Sequence, residues 1–486
     1  MANNECLMQY FEWYLPSDST LWNKVTKESS HISNLGITHL WLPPAYKGQS
    51  GTSDVGYGVY DLYDLGEFNQ KGSIPTKYGT KDEYLSAIRS LKNSNIKVIA
   101  DIVLNHKLGA DEIEEVIAIQ NDSADRNVDT STAKMIKAWT KYTFPGRGNT
   151  YSDFKWDWTH FHGVDWDEET RTSSIYKFYG KKWDEDVDKE NGNFDYLMGA
   201  DIDLNNIDVI KELTRWGKWY YDLTNIDGLR LDAVKHIRSD FFPGWIRDIS
   251  ENIDKELFVV GEYWSINLEI MLNYIEKTSN KINLFDVPLH YNFFKASISN
   301  GDFDMSKIFE GTLVKECPER AVTFVDNHDT EIEQALESWV LDWFKPLAYS
   351  LILLRKDGMP CVFYGDYYGI PEKGVEPKSE MLNKLLKIRK YFAYGEQEDY
   401  LYDKNTIGFV RRGDYEHSDS GLAVVMSDKD GGIIEMNVGK NLSNMMFYDC
   451  LGNVEEKVYV DGNGNGKFSC KSGSVSVWIK DGQYVN

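Results

Sequence analysis

Cysteine is scarce in this chain, and long apolar runs are missing. The 486 residues include five cysteines, Cys6, Cys317, Cys361, Cys450 and Cys470. An odd number without C-x-x-C spacing argues against a disulfide framework and against a zinc site. The chain has no run of about 18 apolar residues, and it does not open with a basic segment followed by an apolar one. We therefore expect a cytoplasmic protein, or a secreted one whose signal peptide has been removed.

Basic residues are fewer than acidic residues. Lysine and arginine number 53 against 77 aspartates and glutamates, which gives a formal net charge of −24. This balance opposes binding to a phosphate backbone or an anionic membrane, so we expect neither nucleic acid nor a membrane as partner. Aromatic residues are plentiful, with 15 tryptophans, 30 tyrosines and 22 phenylalanines. Most should pack the core, but flat rings also stack on sugar faces.

Eight short β-rich runs alternate with helix-like stretches over most of the chain. The runs begin at Leu7, His39, Lys97, Gly228, Leu257, Ile282, Ala321 and Met359. Between them lie apolar residues at helical spacing, as after Leu21, and a capping box at Thr80 and Glu83. This alternation predicts an α/β protein built on a parallel (β/α)₈ TIM barrel.

Two stretches depart from the alternation. About a hundred residues separate the third strand, ending near His106, from a helical pattern opening near Asn206, and a loop that long should carry structure or function. Past Glu396, strand runs at short intervals indicate an antiparallel β-sandwich. We predict a catalytic barrel at 1–106 and 206–396, an inserted subdomain at 107–205 and a C-terminal β-sandwich domain at 397–486.

One motif near the C-terminus has a calcium-like pattern. DGNGNG from Asp461 resembles the start of a calcium loop, but Ser472 stands where a bidentate acid is needed. We interpret the motif as a hairpin turn.

Polar residues at the carboxyl ends of the predicted barrel strands indicate an active site, because the catalytic sites of such barrels lie on that face. A period of two places Arg230 and Asp232 on the inner side of the fourth strand, where the arginine should keep the aspartate ionised at neutral pH. Glu262 ends the fifth strand beside aromatic residues, and burial there would raise its pKa. His328 and Asp329 end the seventh strand.

The three acids suit glycoside hydrolysis. An ionised carboxylate can attack C1 of a sugar while a protonated acid donates to the departing oxygen. Any one of these acids alone is more often part of a salt bridge or a helix cap. Three of them at the ends of three barrel strands are harder to explain in that way, so Asp232, Glu262 and Asp329 are the predicted catalytic residues.

Four ordered segments resemble the signature regions of the α-amylase family of glycoside hydrolases. They are DIVLNH from Asp101, GLRLDAVKH from Gly228, GEYW from Gly261 and FVDNHD from Phe324. The resemblance covers nearly the whole chain and is strongest to the liquefying bacterial α-amylases and their cytoplasmic counterparts. It implies endo-acting, retaining hydrolysis of α-1,4-glucosidic bonds in starch, glycogen and maltooligosaccharides.

The resemblance also implies roles for individual residues. Asp232 would be the nucleophile, Glu262 the general acid/base and Asp329 the stabiliser of the transition state. The residues implied to bind substrate are Arg230, His106, His328, Lys235, His236, Trp13, Tyr57 and Trp264. The Lys-His pair after the nucleophile is typical of α-amylases rather than of α-glucosidases for small substrates. We therefore expect an α-glucan polymer as partner, and a monomeric enzyme.

Calcium is the cofactor that the resemblance implies. The calcium shared by the family links barrel and insert, which makes the insert a calcium-binding subdomain and predicts one structural Ca²⁺. The matching ligand positions are Asn105, Asp195, Asp201 and His236, the last through its backbone carbonyl.

Further metal ions are not expected. Liquefying relatives hold a second calcium and a sodium close to the first, using acids of the insert. This chain keeps Asp184 and Asp203 but has His162 and Asn205 where two of those acids belong, and fewer charges weaken a calcium site. In those relatives a further calcium joins barrel and β domain, and here it would need ligands where Lys404 and Asn405 stand. The lysine cation should repel it.

One departure from the family lies beside the expected cleft. HDTEIEQ has Glu331 and Ile332 where relatives more often have Gln-Pro, which bears on product size and transglycosylation. The alternatives are an oligosaccharide α-glucosidase, a pullulan-cleaving amylase or a glucosyltransferase of the same family, or a glucan-binding protein without catalysis. The intact acids argue against the last alternative.

Overall fold

Eight parallel strands close into a barrel, as predicted. The computed structural model describes residues 4–251 and 255–483. In chain order, which is also their order around the barrel, the strands are Leu7–Gln9, His39–Leu42, Lys97–Ile102, Gly228–Leu231, Phe258–Gly261, Asn283–Phe285, Ala321–Phe324 and Met359–Phe363. Leu7 pairs with both His39 and Cys361, so the first strand joins the second to the eighth and closes the ring.

Helices follow the barrel strands and cover their outer side. The α-helices of the described residues are Leu21–Leu35, Lys81–Asn93, Ile207–Thr224, Phe241–Ile249, Leu268–Lys277, Val287–Ile298, Leu313–Glu316, Lys345–Leu354, Tyr364–Tyr368 and Ser379–Tyr391. The predicted capping box is present, since Thr80 and Glu83 each accept the other's backbone N–H. The helix after the insert begins as expected, with the Asn206 side chain accepting the N–H of Asp208.

The stretch between the third barrel strand and Ile207 folds into a six-stranded antiparallel sheet. Across the sheet its strands are His106–Lys107, Ala200–Ile202, Phe161–Asp167, Thr172–Phe178, Glu112–Asn121 and Lys134–Lys141. His106 pairs with Asp201 at the edge of this sheet, four residues beyond the end of the third strand. The insert therefore begins directly above the carboxyl end of the barrel. A small hairpin, Lys47–Gly48 with Val59–Asp61, follows the second strand.

The C-terminal part contains two antiparallel sheets. The larger has the strands Gln397–Tyr400, Thr406–Arg411, Leu422–Ser427, Ser474–Lys480, Met446–Asp449 and Val458–Tyr459, and the smaller has Gly432–Asn437 and Asn465–Cys470. Val425 and Trp478 of the larger sheet share one apolar core with Met436 and Phe468 of the smaller sheet. Two sheets that enclose a core in this way form the predicted sandwich.

The hairpin interpretation of the Asp461 motif is wrong. The strand before it pairs with Met446–Asp449, whereas the strand after it pairs with Gly432–Asn437, so the turn passes the chain from one sheet to the other. The Asp461 carboxylate accepts the backbone N–H groups of Asn463 and Asn465 at 2.8 and 2.9 Å. The crossing places Phe468 in the core between the sheets, and burial of that ring outweighs a local hairpin.

The cysteines form no disulfide framework among the described residues, as their number and spacing predicted. All five cysteines are free thiols. Among the described residues, no helix combines the length and the apolar character needed to cross a bilayer.

We propose that the domain limits are those expected from the sequence. The barrel is formed by 1–106 and 206–396, the inserted subdomain by 107–205 and the β-sandwich domain by 397–486, because each sheet lies almost wholly within one of these parts.

Candidate active site

One buried arginine binds three carboxylates at the mouth of the barrel. Arg230 Nη1 lies 2.7 Å from Asp232 Oδ1 and 3.0 Å from Asp101 Oδ1, and Nη2 lies 2.5 Å from Glu262 Oε2. The Arg230 side chain has no exposed surface. A buried guanidinium needs such partners, because an unpaired charge away from water is costly.

The register of the strands explains this arrangement. Arg230 is paired with Asp101 of the third strand, so their side chains leave the backbone at the same level. Leu231 is paired with Gly261, which places Asp232 and Glu262 one residue beyond, at the same rim. The two side chains that follow the fourth and fifth strands are therefore brought together by the parallel register.

Burial governs the protonation of the carboxyl groups. It raises the pKa of Asp232 to about 6, although the Arg230 guanidinium acts in the opposite direction. Burial also raises the pKa of Glu262, again against Arg230. Arg230 is shared among three carboxylates, so it lowers the pKa of Asp232 less than an arginine paired with Asp232 alone would. Asp232 is still mostly ionised at neutral pH.

Asp329 completes the group from the loop after the seventh strand. Burial, followed by the negative charge of Glu262, raises the pKa of Asp329 well above its ordinary value, and a hydrogen bond joins the two side chains. His328 Nε2 lies 3.3 Å from Asp329 Oδ2. Gln9 Nε2 donates to His328 Nδ1 at 3.0 Å, which leaves the proton of the neutral imidazole on Nε2, facing Asp329. Burial lowers the pKa of His328 well below its ordinary value.

Three flat rings lie parallel beside the acids. The ring planes of Trp13 and Tyr57 differ by 3°, with 6.1 Å between centroids, and Tyr57 and His328 differ by 5° at 5.0 Å. His106 Nε2 donates to the Tyr57 carbonyl at 2.9 Å, whereas its buried Nδ1 has no partner among the described residues.

On the other side of the acids lie the residues predicted to contact the leaving group. Lys235 Nζ lies 2.8 Å from Glu190 Oε2 of the insert and donates to the Trp264 carbonyl at 3.2 Å. His236 Nδ1 donates to the Phe194 carbonyl at 2.7 Å. A cavity of about 400 Å³ lies beside Lys235, between the insert and the barrel.

Asp101 and Trp41 were missed as site residues by the sequence reasoning. Asp101 Oδ2 accepts Trp41 Nε1–H at 2.9 Å and the Tyr57 hydroxyl at 2.8 Å, while Oδ1 accepts from Arg230. A signal was available, because Asp101 is an acid among the apolar residues that follow Lys97 in this strand. Only the register of neighbouring strands, however, shows that it faces Arg230.

Acidic side chains of the insert form a candidate metal centre. His162, Asp195 and Asp201 are buried, and one potential ligand atom of each lies within 4.8 Å of the others. His162 Nδ1 lies 3.2 Å from Asp195 Oδ2 and 3.0 Å from Asp201 Oδ2, and its Nε2 lies 3.0 Å from Asp203 Oδ1. Despite burial, these carboxylates raise the pKa of His162 well above its ordinary value.

The other two predicted calcium positions adjoin this cluster. The Asn105 carbonyl accepts the N–H of Ile202, next to Asp201. Asn105 is buried, and its Nδ2 has no hydrogen-bond partner among the described residues. His236 contacts Phe194, the neighbour of Asp195. Two carboxylates, a side-chain amide and a backbone carbonyl form an oxygen set that suits Ca²⁺.

The positions that lack acids carry hydrogen-bond donors instead. Asn205 Nδ2 donates to Asp184, at the place where the resemblance implied a further acid. In the C-terminal part, Asn405, next to Lys404, donates through Nδ2 to the Gly301 carbonyl at 2.7 Å and to Asp428 at 2.8 Å. At both places a side-chain amide N–H donates to an oxygen atom that would otherwise be free to bind a cation.

Comparison with known proteins agrees with this geometry. Residues 19–399 match the description "Alpha amylase, catalytic domain", and residues 423–479 match "Alpha-amylase C-terminal". An alpha-amylase of Geobacillus stearothermophilus is 55% identical over 98% of this chain and 87% of its own length. The cytoplasmic alpha-amylase of Escherichia coli strain K12 is 45% identical over 98% of this chain and 99% of its own length.

The fold alone is also shared with a more distant solved structure. An alpha-amylase from Geobacillus thermoleovorans, complexed with acarbose, superimposes with a TM-score of 0.66 at 18% identity, over 99% of both chains. An eight-stranded barrel with a buried arginine and converging carboxyl groups at its mouth has the architecture and the acidic groups of a barrel glycoside hydrolase. With the catalytic-domain match over most of its length, the chain belongs to the alpha-amylase family.

Proposed function

We propose that the chain is an endo-acting, retaining α-amylase that hydrolyses α-1,4-glucosidic bonds in starch, glycogen and maltooligosaccharides. The observation that carries the proposal is the binding of Asp232 and Glu262 by one buried guanidinium. Asp232 contacts Nη1 at 2.7 Å and Glu262 contacts Nη2 at 2.5 Å, so the two carboxyl groups lie close to each other. This closeness supports direct attack by Asp232 over attack by an activated water, which needs a wider separation of the two groups.

In the proposed reaction Asp232 attacks C1 of the sugar, and Glu262 gives its proton to the departing glucosidic oxygen. The covalent glucosyl ester is then cleaved by water, which loses its proton to Glu262. The pKa of about 6 leaves Asp232 mostly ionised at neutral pH, and the raised pKa of Glu262 keeps a proton available. Arg230 orients both groups, and we assign Asp329 to stabilising the oxocarbenium-like transition state through the sugar hydroxyls.

The surrounding residues are proposed to bind the glucan chain. Trp13 and Tyr57 offer ring faces for sugar stacking, and the neutral His106 and His328 offer hydrogen bonds at the cleaved sugar. On the leaving-group side the proposed contacts are Lys235, His236 and Trp264. Ring faces and neutral histidines suit a neutral polymer, and the acidic net charge of the protein does not oppose such a substrate.

We also propose one structural calcium, as calcium binding is typical of the family. Asn105, Asp195, Asp201 and the His236 carbonyl would hold it. The ion would supply charge to neutralise two buried carboxylates and tie the insert to the barrel beside Asp232. We propose a cytoplasmic location, on the likeness to the cytoplasmic alpha-amylase of E. coli. We also propose that the enzyme is a monomer.

Product analysis tests the proposal. Soluble starch and a blocked maltoheptaose are digested, and the products are followed over time by chromatography. An endo-hydrolase shortens long chains early and cleaves the blocked substrate. Release of glucose alone would establish an α-glucosidase, new longer chains would establish a glucosyltransferase, and binding without cleavage would establish a glucan-binding protein.

A further inference from the structure

A fourth carboxyl group, outside the catalytic set, lies buried beside the proposed sugar-stacking tryptophan. Glu331 follows Asp329 by two residues and has no exposed surface. Its Oε1 accepts the backbone N–H of Trp13 at 3.2 Å. Its buried Oε2 has no hydrogen-bond partner among the described residues. Glu331 is also a position at which the sequence departs from the pattern of its family.

The segment that carries Trp13 is tied to the loop after the seventh strand by neighbouring contacts as well. The Tyr14 hydroxyl donates to the Ile332 carbonyl at 2.7 Å. Glu12 Oε2 accepts the Tyr14 N–H at 2.5 Å. Trp13 therefore directly precedes a residue that is anchored to this loop, and its ring plane lies 7° from that of His328.

The environment of Glu331 favours the neutral acid. Burial, and after it the negative charge of Glu12, raises the pKa of Glu331 to about 10, and Asp329 and Asp326 act in the same direction. The hydrogen bond from Trp13 acts in the opposite direction. At neutral pH the side chain is uncharged, and it can accept the Trp13 N–H without placing a buried negative charge beside the other acids.

Glu12 is the other acid of this pair. Burial raises its pKa to about 7, the Tyr14 N–H and Lys77 act in the opposite direction, and Glu372 adds to the rise. Glu12 therefore ionises well before Glu331 as the pH increases. The charge that forms on Glu12 then opposes ionisation of Glu331.

We propose that Glu331 is a positioning residue that fixes Trp13 for sugar stacking through the hydrogen bond to its backbone N–H. This inference rests on the proposed function. When Glu331 loses its proton, repulsion from Glu12, Asp329 and Asp326 drives the side chain out of its site, and Trp13 loses its anchor. The loss weakens substrate binding, while the chemistry at Asp232 and Glu262 is set by the charges around Arg230.

The test compares Glu331→Gln, Glu331→Ala and the control Glu333→Gln. Glutamine keeps the acceptor oxygen and stays uncharged at every pH, whereas alanine removes the acceptor. Glu333 is a close matched control, because it is exposed and pairs with Lys373 at 2.6 Å. For each variant, kcat and KM for blocked maltoheptaose are measured together with Tm. The measurements run from about pH 6 to about pH 10, because the pKa of Glu331 is about 10.

For the wild type and the Glu333→Gln control we expect KM to increase about threefold or more towards the top of this range, and for Glu331→Gln we expect a nearly constant KM. Glu331→Ala should have a raised KM at neutral pH, and glutamine should restore it. The fall of kcat at alkaline pH should be common to all variants. An alkaline rise of KM in Glu331→Gln equal to that of the wild type, or an unchanged neutral KM in Glu331→Ala, would overturn the proposal.

Melting temperatures provide a readout that does not depend on activity. The folded-state pKa of Glu331 lies above the ordinary 4.5, so the folded protein holds a proton that the unfolded chain has lost, and stability falls as the pH rises towards about 10. Glu331→Gln lacks this penalty, so its Tm relative to the wild type should increase with pH. A constant difference would disprove the buried neutral acid. If the wild type does not cleave maltoheptaose, the proposed function fails, and the Tm comparison still tests the state of Glu331.

Discussion

Arg230 Nη1 lies 2.7 Å from Oδ1 of Asp232, two positions further along the chain and just past the end of the same strand. The same guanidinium also binds Asp101 and Glu262, so one positive charge faces three carboxylates in a buried site. Such a group cannot be fully ionised at low cost, and its members titrate as a set. This charge balance is the basis of the predictions for the catalytic residues.

Removing either reacting group should abolish turnover but preserve the fold. For Asp232→Asn and Glu262→Gln we expect kcat to fall roughly 10³-fold or more, because each change removes a role in the transition state and keeps the side-chain shape. Activity on soluble starch and Tm are the measurements. Glu333→Gln is the control, with both values close to those of the wild type. Turnover near the wild-type level in either catalytic variant would rule out the proposed mechanism.

The stereochemistry of the first product tests direct attack by Asp232. In a retaining enzyme the two carboxyl groups lie about 5–5.5 Å apart and the first product keeps the α-configuration. We expect the α-anomer to appear first when maltooligosaccharide cleavage is followed by proton NMR before mutarotation. Early appearance of the β-anomer, or a separation near 9 Å in an experimental structure, would show inversion instead.

The acid limb of the pH profile should report the coupled carboxylates. Since the pKa of Asp232 is about 6, kcat/KM should increase with pH through this value as Asp232 becomes ionised. The negative charge of Asp101 raises the pKa of Asp232, so Asp101→Asn should move the acid limb to lower pH. It should also lower kcat, because Arg230 and Tyr57 lose a charged partner.

A suitable control for this shift is Asp286→Asn. Asp286 is fully buried with a pKa raised by burial to about 6, but it accepts hydrogen bonds from the backbone N–H groups of Leu289, Leu313 and Val314. Its replacement should lower Tm without moving the acid limb. An unchanged limb in Asp101→Asn, or an equal shift in both variants, would contradict the assignment to Asp232.

Calcium removal should lower both activity and stability. One ion that is present at 100 times its Kd adds about 2.7 kcal/mol to the free energy of unfolding, so chelation should lower Tm by several degrees. Asp201→Asn should abolish this sensitivity, whereas Asp461→Asn in the C-terminal turn should leave it unchanged. Metal analysis of dialysed protein should find one calcium per chain. Two or more calcium ions, or full activity after complete metal removal, would disprove the proposal.

The eight barrel strands could be predicted from the sequence because each carries a local pattern. Runs such as KVIADI and GLRL are short, apolar and bounded by polar residues, and the helices between them have apolar residues at helical spacing. The prediction of a hairpin failed because the pairing partners of its two strands are far away in the sequence. The turn at Asp461 has hairpin composition, yet its flanking strands pair in different sheets.

The sequence by itself also determined which residue types stand at the strand ends, and therefore the candidates Asp232, Glu262 and Asp329. Only the tertiary structure decided how their charges are shared. Strand register brought Asp101 onto Arg230, and folding of the insert placed His162 among three aspartates. Burial then raised the pKa of Asp232 to about 6 despite its arginine, so the aspartate stays ionised at neutral pH by a smaller margin than the sequence suggested. Contacts between residues far apart in sequence, and the loss of water around them, set these properties, and neither is a property of any local segment.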